Sequence, residues 1–100
     1  MNPTGYYYDP KHGGCLRRIR NTGPDEYIID GVYGRDEQPR TGRYWHATVR
    51  AQGTHLDVHF DGKCKLRKHY TARLRNRSIL WDDANVWIRL YVHPKQLLTE

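Results

Sequence analysis

The sequence predicts an all-β fold, a small antiparallel up-and-down barrel or a strongly curved sheet of about seven strands. Three observations point there. No window sustains a helical period, whereas short alternating runs recur between clusters of Gly, Asn and Asp. Eight Tyr and three Trp against a single Phe suit half-buried sheet surfaces. Residues paired across a hairpin must face the same side, and four successive hairpins can be registered so that apolar residues share one face.

The start, GYYYDPKHGG, holds three consecutive tyrosines that cannot all face one side of a strand. Residues 1–14 therefore read as an N-terminal arm or a plug at one end of the barrel, turning at Asp9-Pro10 and Gly13-Gly14. Strands are expected over Cys15–Arg20, Glu26–Tyr33, Tyr44–Ala51, Thr54–His59, Lys65–Arg75, Ser78–Trp81 and Val86–Val92. CLRRIR lacks clean alternation, which points to a bulge or an edge. In EYIIDGVYG, Tyr27, Ile29 and Tyr33 face inward, Asp30 faces outward, and Gly31 marks a bend or a close approach. GRDEQPRTGR is the one long connection, and residues 94–100 form a C-terminal tail. The whole chain, 1–100, is one β-domain, a size that buries a modest core without metals or disulfides.

The turns set the registers. A turn at Gln52-Gly53 sets Trp45, Ala47 and Val49 against Phe60, Val58 and Leu56. A three-residue loop around Gly62 pairs Val58 with Cys64 and Leu56 with Leu66. Asn76-Arg77 sets Leu74 against Ile79 and Ala72 against Trp81. A four-residue loop over Asp82–Asn85 sets Trp81 against Val86 and Ile79 against Ile88.

These registers place the remaining residues on an outer face. Arg50 then opposes His55, Thr48 opposes Asp57 and His46 opposes His59, with Lys65 beside Asp57 and Arg67 beside His55. His46, Asp57 and His59 form an imidazole–carboxylate set suited to a first-row metal. Lys63, Lys65 and Arg67 repel such an ion, so the preferred reading is a solvated polar face with no metal and no cofactor. Leu80 opposes Trp87 on this face, with Arg73, Arg89 and Tyr91 nearby, and apolar surface rimmed by arginine suits a protein contact. Tyr44, Arg50, Arg67, His69 and Arg75 offer guanidinium groups and a ring to phosphates and unpaired bases, the alternative of a single-stranded nucleic-acid-binding module. The net charge of +6 also favours anionic partners.

Catalysis is not expected. Asp82 and Asp83 sit where a tight turn favours Asp, and Asp36 and Glu37 lie in the long loop. Cys64 faces inward and Cys15 precedes Arg17 and Arg18, which lowers a thiol pKa, but no histidine partner can be assigned. No basic stretch followed by an apolar one opens the chain and no apolar run reaches membrane length, so an intracellular, soluble protein with reduced cysteines is expected.

The GYYY start, tight turns and Trp-bearing final hairpin resemble small lipocalin- or avidin-type barrels at the level of the fold. That resemblance implies an interior able to take a small apolar ligand, although Trp45, Phe60, Tyr70 and Trp81 would fill so short a barrel. The reading as a whole is a non-enzymatic β-barrel acting as a protein-interaction or assembly module through a basic and aromatic outer face. Its contact residues would be Arg73, Leu80, Trp87, Arg89 and Tyr91.

Overall fold

A computed structural model of the chain describes residues 2–12, 16–35, 38–61 and 67–91. Eight antiparallel strands follow one another around a closed barrel in sequence order. They are β1 (Gly5–Tyr8), β2 (Leu16–Gly23), β3 (Glu26–Arg35), β4 (Gln38–Gln52), β5 (His55–Phe60), β6 (His69–Arg75), β7 (Ser78–Trp81) and β8 (Val86–Leu90). The expected all-β barrel is thus present with one further strand, supplied by the segment read as an arm or plug. Tyr6, Tyr7 and Tyr8 pair with Arg18, Arg17 and Leu16 on one side and with Leu90, Arg89 and Ile88 on the other. That double pairing consumes both edges and closes the barrel. Within CLRRIR, the strand residues from Leu16 onward are accordingly no edge, although the β2–β3 ladder slips between Asn21 and Gly23.

Alternation along the strands fills the interior. Tyr7, Ile19, Ile29, Trp45, Ala47, Val49, Leu56, Val58, Phe60, Ala72, Leu74, Ile79, Trp81 and Trp87 form one buried cluster. Trp81 packs 4.6 Å from Trp87 and 5.9 Å from Phe60, measured between ring centroids, within the range at which tilted rings attract. Tyr7 is fully buried and donates its hydroxyl to the Pro3 carbonyl at 2.7 Å. Burial pushes its pKa up to about 12, against the opposing charge of Arg89.

One end of the interior is polar. Arg17, on the inner row of β2, reaches Asp9 at 3.4 Å, and both side chains are buried. Asp9 also accepts from the Asn85 amide and the Lys11 backbone N–H. The Arg17 guanidinium lies 4.9 Å from the Trp45 ring and 5.7 Å from Trp87. A buried charge of this kind persists only when paired and hydrogen-bonded.

The turns explain where registers were foreseen and where they were not. Asn76, at a φ of 27°, makes the expected two-residue turn, and Leu74 and Ala72 oppose Ile79 and Trp81. The β4–β5 turn is Gly53-Thr54, with Gly53 at φ 60°, so Val49 opposes Val58 rather than Leu56. That two-residue slip keeps the same face inward. In the β7–β8 loop Ala84 takes a φ of 72°, and Trp81 N–H bonds the Asn85 carbonyl. The loop is therefore three residues closed by a left-handed one, and Ile79 opposes Trp87. A one-residue slip turns every side chain over. Trp87 is consequently in the core, 3% exposed, and Ile88 faces outward.

Two further expectations change. The ladder of β3 and β4 continues to Arg35 and Gln38, so the long loop is mostly strand. Leu56 opposes Ala72 instead of Leu66, because β5 and β6 are joined through residues 61–68. Cys15, Cys64, Lys63 and Lys65 lie outside the described residues.

Candidate functional sites on the outer face

The outer face divides into three regions, each fixed by alternation around the inward rows. On β2, β3 and β4, Asp30 gathers partners from both neighbouring strands. Arg18 donates to it at 2.9 Å, Arg20 at 2.8 Å, and His46 Nδ1 lies 2.9 Å away. Burial works to raise the Asp30 pKa, but the hydrogen bonds from Arg20, Arg18 and His46 outweigh it and hold the carboxyl below its ordinary value. His46 is therefore an Asp30 partner, with Asp30 opposite it in the ladder, and does not face His59.

The second region covers β5 and β6. Here His59 opposes His69 directly, while Asp57 opposes Thr71. The two imidazole rings stack at 4.4 Å and 16° between planes. His69 Nε2 hydrogen-bonds Asp57 Oδ1, and His59 Nε2 stands 3.5 Å from Asp57 Oδ2. The bond from His69 leads the effects that keep the Asp57 carboxyl below its usual range. The nearby arginines have carboxylates of their own. Arg50 sits 3.8 Å from Glu26, and Arg67 is paired with Asp82. Asp82 also accepts from the Thr71 backbone N–H at 3.0 Å, which leads the effects lowering its pKa. Read from sequence as turn geometry alone, Asp82 anchors the start of β6 to the β7–β8 loop.

The third region spans β7, β8 and β1. Leu80 opposes Val86, Ile88 opposes Tyr8, and Leu90 opposes Tyr6. Tyr7 and Trp87 occupy the inner positions between them, so these six residues share the outside. Ile88 is 45% exposed, and no charged residue stands within the stripe.

The residues expected to make one contact surface are thus separated. Arg73 and Leu80 do lie side by side outside the barrel, with Arg73 between Leu80 and His55. Trp87 is core. Arg89 shares its inner row, opposite Tyr7, and gives its guanidinium to the Thr4 carbonyl. Tyr91 is exposed at the rim, where the Arg77 and Arg89 guanidinium groups lie 5.5 and 6.0 Å from its ring. It lines an open cleft of about 630 Å³ with Arg75, Asn76, Arg77 and Ser78. Of the residues assigned to nucleic acid, Tyr44 and Arg75 are exposed, while Arg50, Arg67 and His69 are engaged with carboxylates.

Sequence reasoning missed Ile88, Tyr6 and Tyr8 through the β7–β8 slip and the unassigned first strand. It missed His69 as the partner of His59 because the β5–β6 loop was taken too short. No protein-family model, curated protein or solved structure matches the chain. Among the described residues, no helix is long and apolar enough to cross a membrane.

Proposed function

We propose that the barrel is a non-enzymatic protein-interaction and assembly module that docks through the outer stripe of β7, β8 and β1. The observation that carries this reading is the uncharged run of Leu80, Val86, Ile88 and Leu90 beside Tyr6 and Tyr8. The outer rows of β2 to β6, by contrast, carry Arg18, Asp30, His46, Asp57, His69 and Arg73 among their residues. A closed barrel offers no edge for strand addition, so contact has to come from side chains. Apolar residues grouped without charge are the surface that gains by leaving water.

The occupant proposed is a second copy of the chain. Two barrels of net charge +6 repel each other, and salt screens that repulsion, so self-association strengthens as salt rises. Six residues are far fewer than the roughly 20–30 a side of a standard interface, and association is therefore weak and concentration-dependent. Sedimentation velocity over a concentration series at low and high salt tests this. The average mass should climb with concentration, more steeply at high salt, and Ile88→Asp should hold the protein at monomer mass. A wild type that stays monomeric throughout, or an Ile88→Asp variant that associates like wild type, would overturn the reading.

Nucleic-acid binding keeps one supporting observation, the Arg75, Arg77 and Tyr91 group along the rim cleft. It has the opposite salt dependence, since displaced counterions weaken binding as salt rises. The small-ligand alternative has to contend with an axis filled by Tyr7, Trp45, Phe60, Trp81 and Trp87.

A further inference from the structure

We propose that Asp57, His59 and His69 form a binding site for a divalent transition-metal ion of the zinc class. Three donors from two strands converge here, and their ligating atoms all lie within 4.8 Å of one another. The ladder causes the convergence. His59 and His69 are directly opposed, so their Cβ atoms are held at the spacing of a cross-strand pair. Asp57 stands two residues before His59 and so projects from the same face.

Both imidazoles turn Nε2 toward the one carboxylate, one onto each oxygen. A metal ion entering this group takes the Nε2 lone pairs and the carboxylate oxygens as ligands, any Nε2 proton being released to water or carried at Nδ1 instead. Zinc–nitrogen and zinc–oxygen bonds of about 2.0–2.2 Å set tetrahedral ligand atoms roughly 3.3–3.6 Å apart, inside the 4.8 Å that bounds the group but wider than the His69–Asp57 hydrogen bond, which has to open. All three side chains are about half exposed, at 44–59%, and can move the remaining distance by rotation about their own bonds. Two imidazoles and one carboxylate select Zn²⁺, Co²⁺, Ni²⁺ or Cu²⁺ over Mg²⁺, which prefers an all-oxygen shell.

Among the described residues, the guanidinium charge beside the group is partly offset. The two arginines nearest in the ladder and the following loop are each held by another acid, Arg50 by Glu26 and Arg67 by Asp82. Three protein ligands leave at least one position for water or for a donor from another molecule, the pattern of an open rather than a closed site. The ion would also tie β5 to β6 at the mouth of the connection through residues 61–68.

Zinc chloride titrated into ¹⁵N-labelled protein, followed through the imidazole resonances, tests the site. His59 and His69 should shift together with one midpoint, while His46 and His55 stay still, and magnesium should move none of them. Zinc taken up elsewhere on the chain leaves this pair unmoved and so is separated by the same spectra. His69→Ala should abolish the His59 response at a zinc concentration that saturates wild type, and Asp57→Asn should weaken it at least about tenfold, since losing even a group that only supports a ligand costs that much. His46→Ala should leave it intact. An unchanged response in His69→Ala, a response lost in His46→Ala, or resonances that do not move in excess zinc would overturn the proposal.

Discussion

Gly31 is where a single atom decides the packing of the barrel. It lies opposite Trp45 in the ladder, and a Cβ built on it would fall 2.2 Å from two carbons of the indole ring. The Trp45 ring can occupy the space over Gly31 only because no side chain projects there, and it also meets Phe60 and the Arg17 guanidinium. Gly31→Ala should therefore destabilise the fold by about 1–3 kcal/mol, the usual cost of forcing atoms into a packed core. Chemical denaturation with a parallel near-ultraviolet circular dichroism spectrum checks this, since the indole signal should change with the stability. The sequence pointed to this glycine because strands rarely tolerate one without cause. It could not show that the cause was the partner ring across the ladder.

At the scale of strands and turns, Asp30 joins three neighbours, with Arg18 and Arg20 on β2 and His46 on β4. Its pKa is lower in the folded chain than in the unfolded one, so the folded state holds that proton less tightly. Its contribution to stability is complete above the ordinary Asp value near 3.9 and is lost as pH falls below that toward the folded value. Urea midpoints measured from neutral pH downward should accordingly fall more steeply below about pH 4 in wild type than in Asp30→Asn. Equal acid slopes in the two proteins would remove Asp30 from the account.

Turns also mark how far the sequence could be read. Strand β7 was legible to the residue, and the Asn76-Arg77 turn gave its register outright, because a two-residue turn leaves one choice. Gly53-Thr54 and Gln52-Gly53 were both acceptable turns by composition, and either one buries the same face. The β7–β8 loop was different. Nothing in Asp82-Asp83-Ala84-Asn85 announces that Ala84 adopts a left-handed conformation, which is unusual for alanine, and that one angle moved Trp87 from contact surface to core. The inner face was thus readable by alternation, while the outer sites needed registers that only backbone angles determine.

For the molecule as a whole, closure depends on four residues. Every ladder but one joins neighbours along the chain; the exception pairs Gly5–Tyr8 of β1 with β8, from Tyr6 against Leu90 to Tyr8 against Ile88. Pairing so distant in sequence is slow to form because the chain must first be brought together. Removal of residues 1–8 should leave β2 and β8 as bare edges and send the protein into large aggregates, visible by size-exclusion chromatography with light scattering. A synthetic peptide spanning residues 1–12 should restore a soluble species, since it returns both the strand and Asp9, the acid that Arg17 needs. A truncated protein that runs as a well-behaved monomer would show that the sheet closes without β1.

Because β1 starts and β8 finishes on the same rim, with Tyr6 beside Leu90, the point where the chain opens is almost arbitrary. A linker joining Gly5 to Leu90 across that rim, with new ends cut at the Gly53-Thr54 turn, would rewire the order of the strands without altering a single ladder. The opposite rim, with Asp9, Asn85 and the β7–β8 loop, would stay clear of that join. The architecture is in that sense a ring with a movable clasp, and β1 is only where this sequence fastens it.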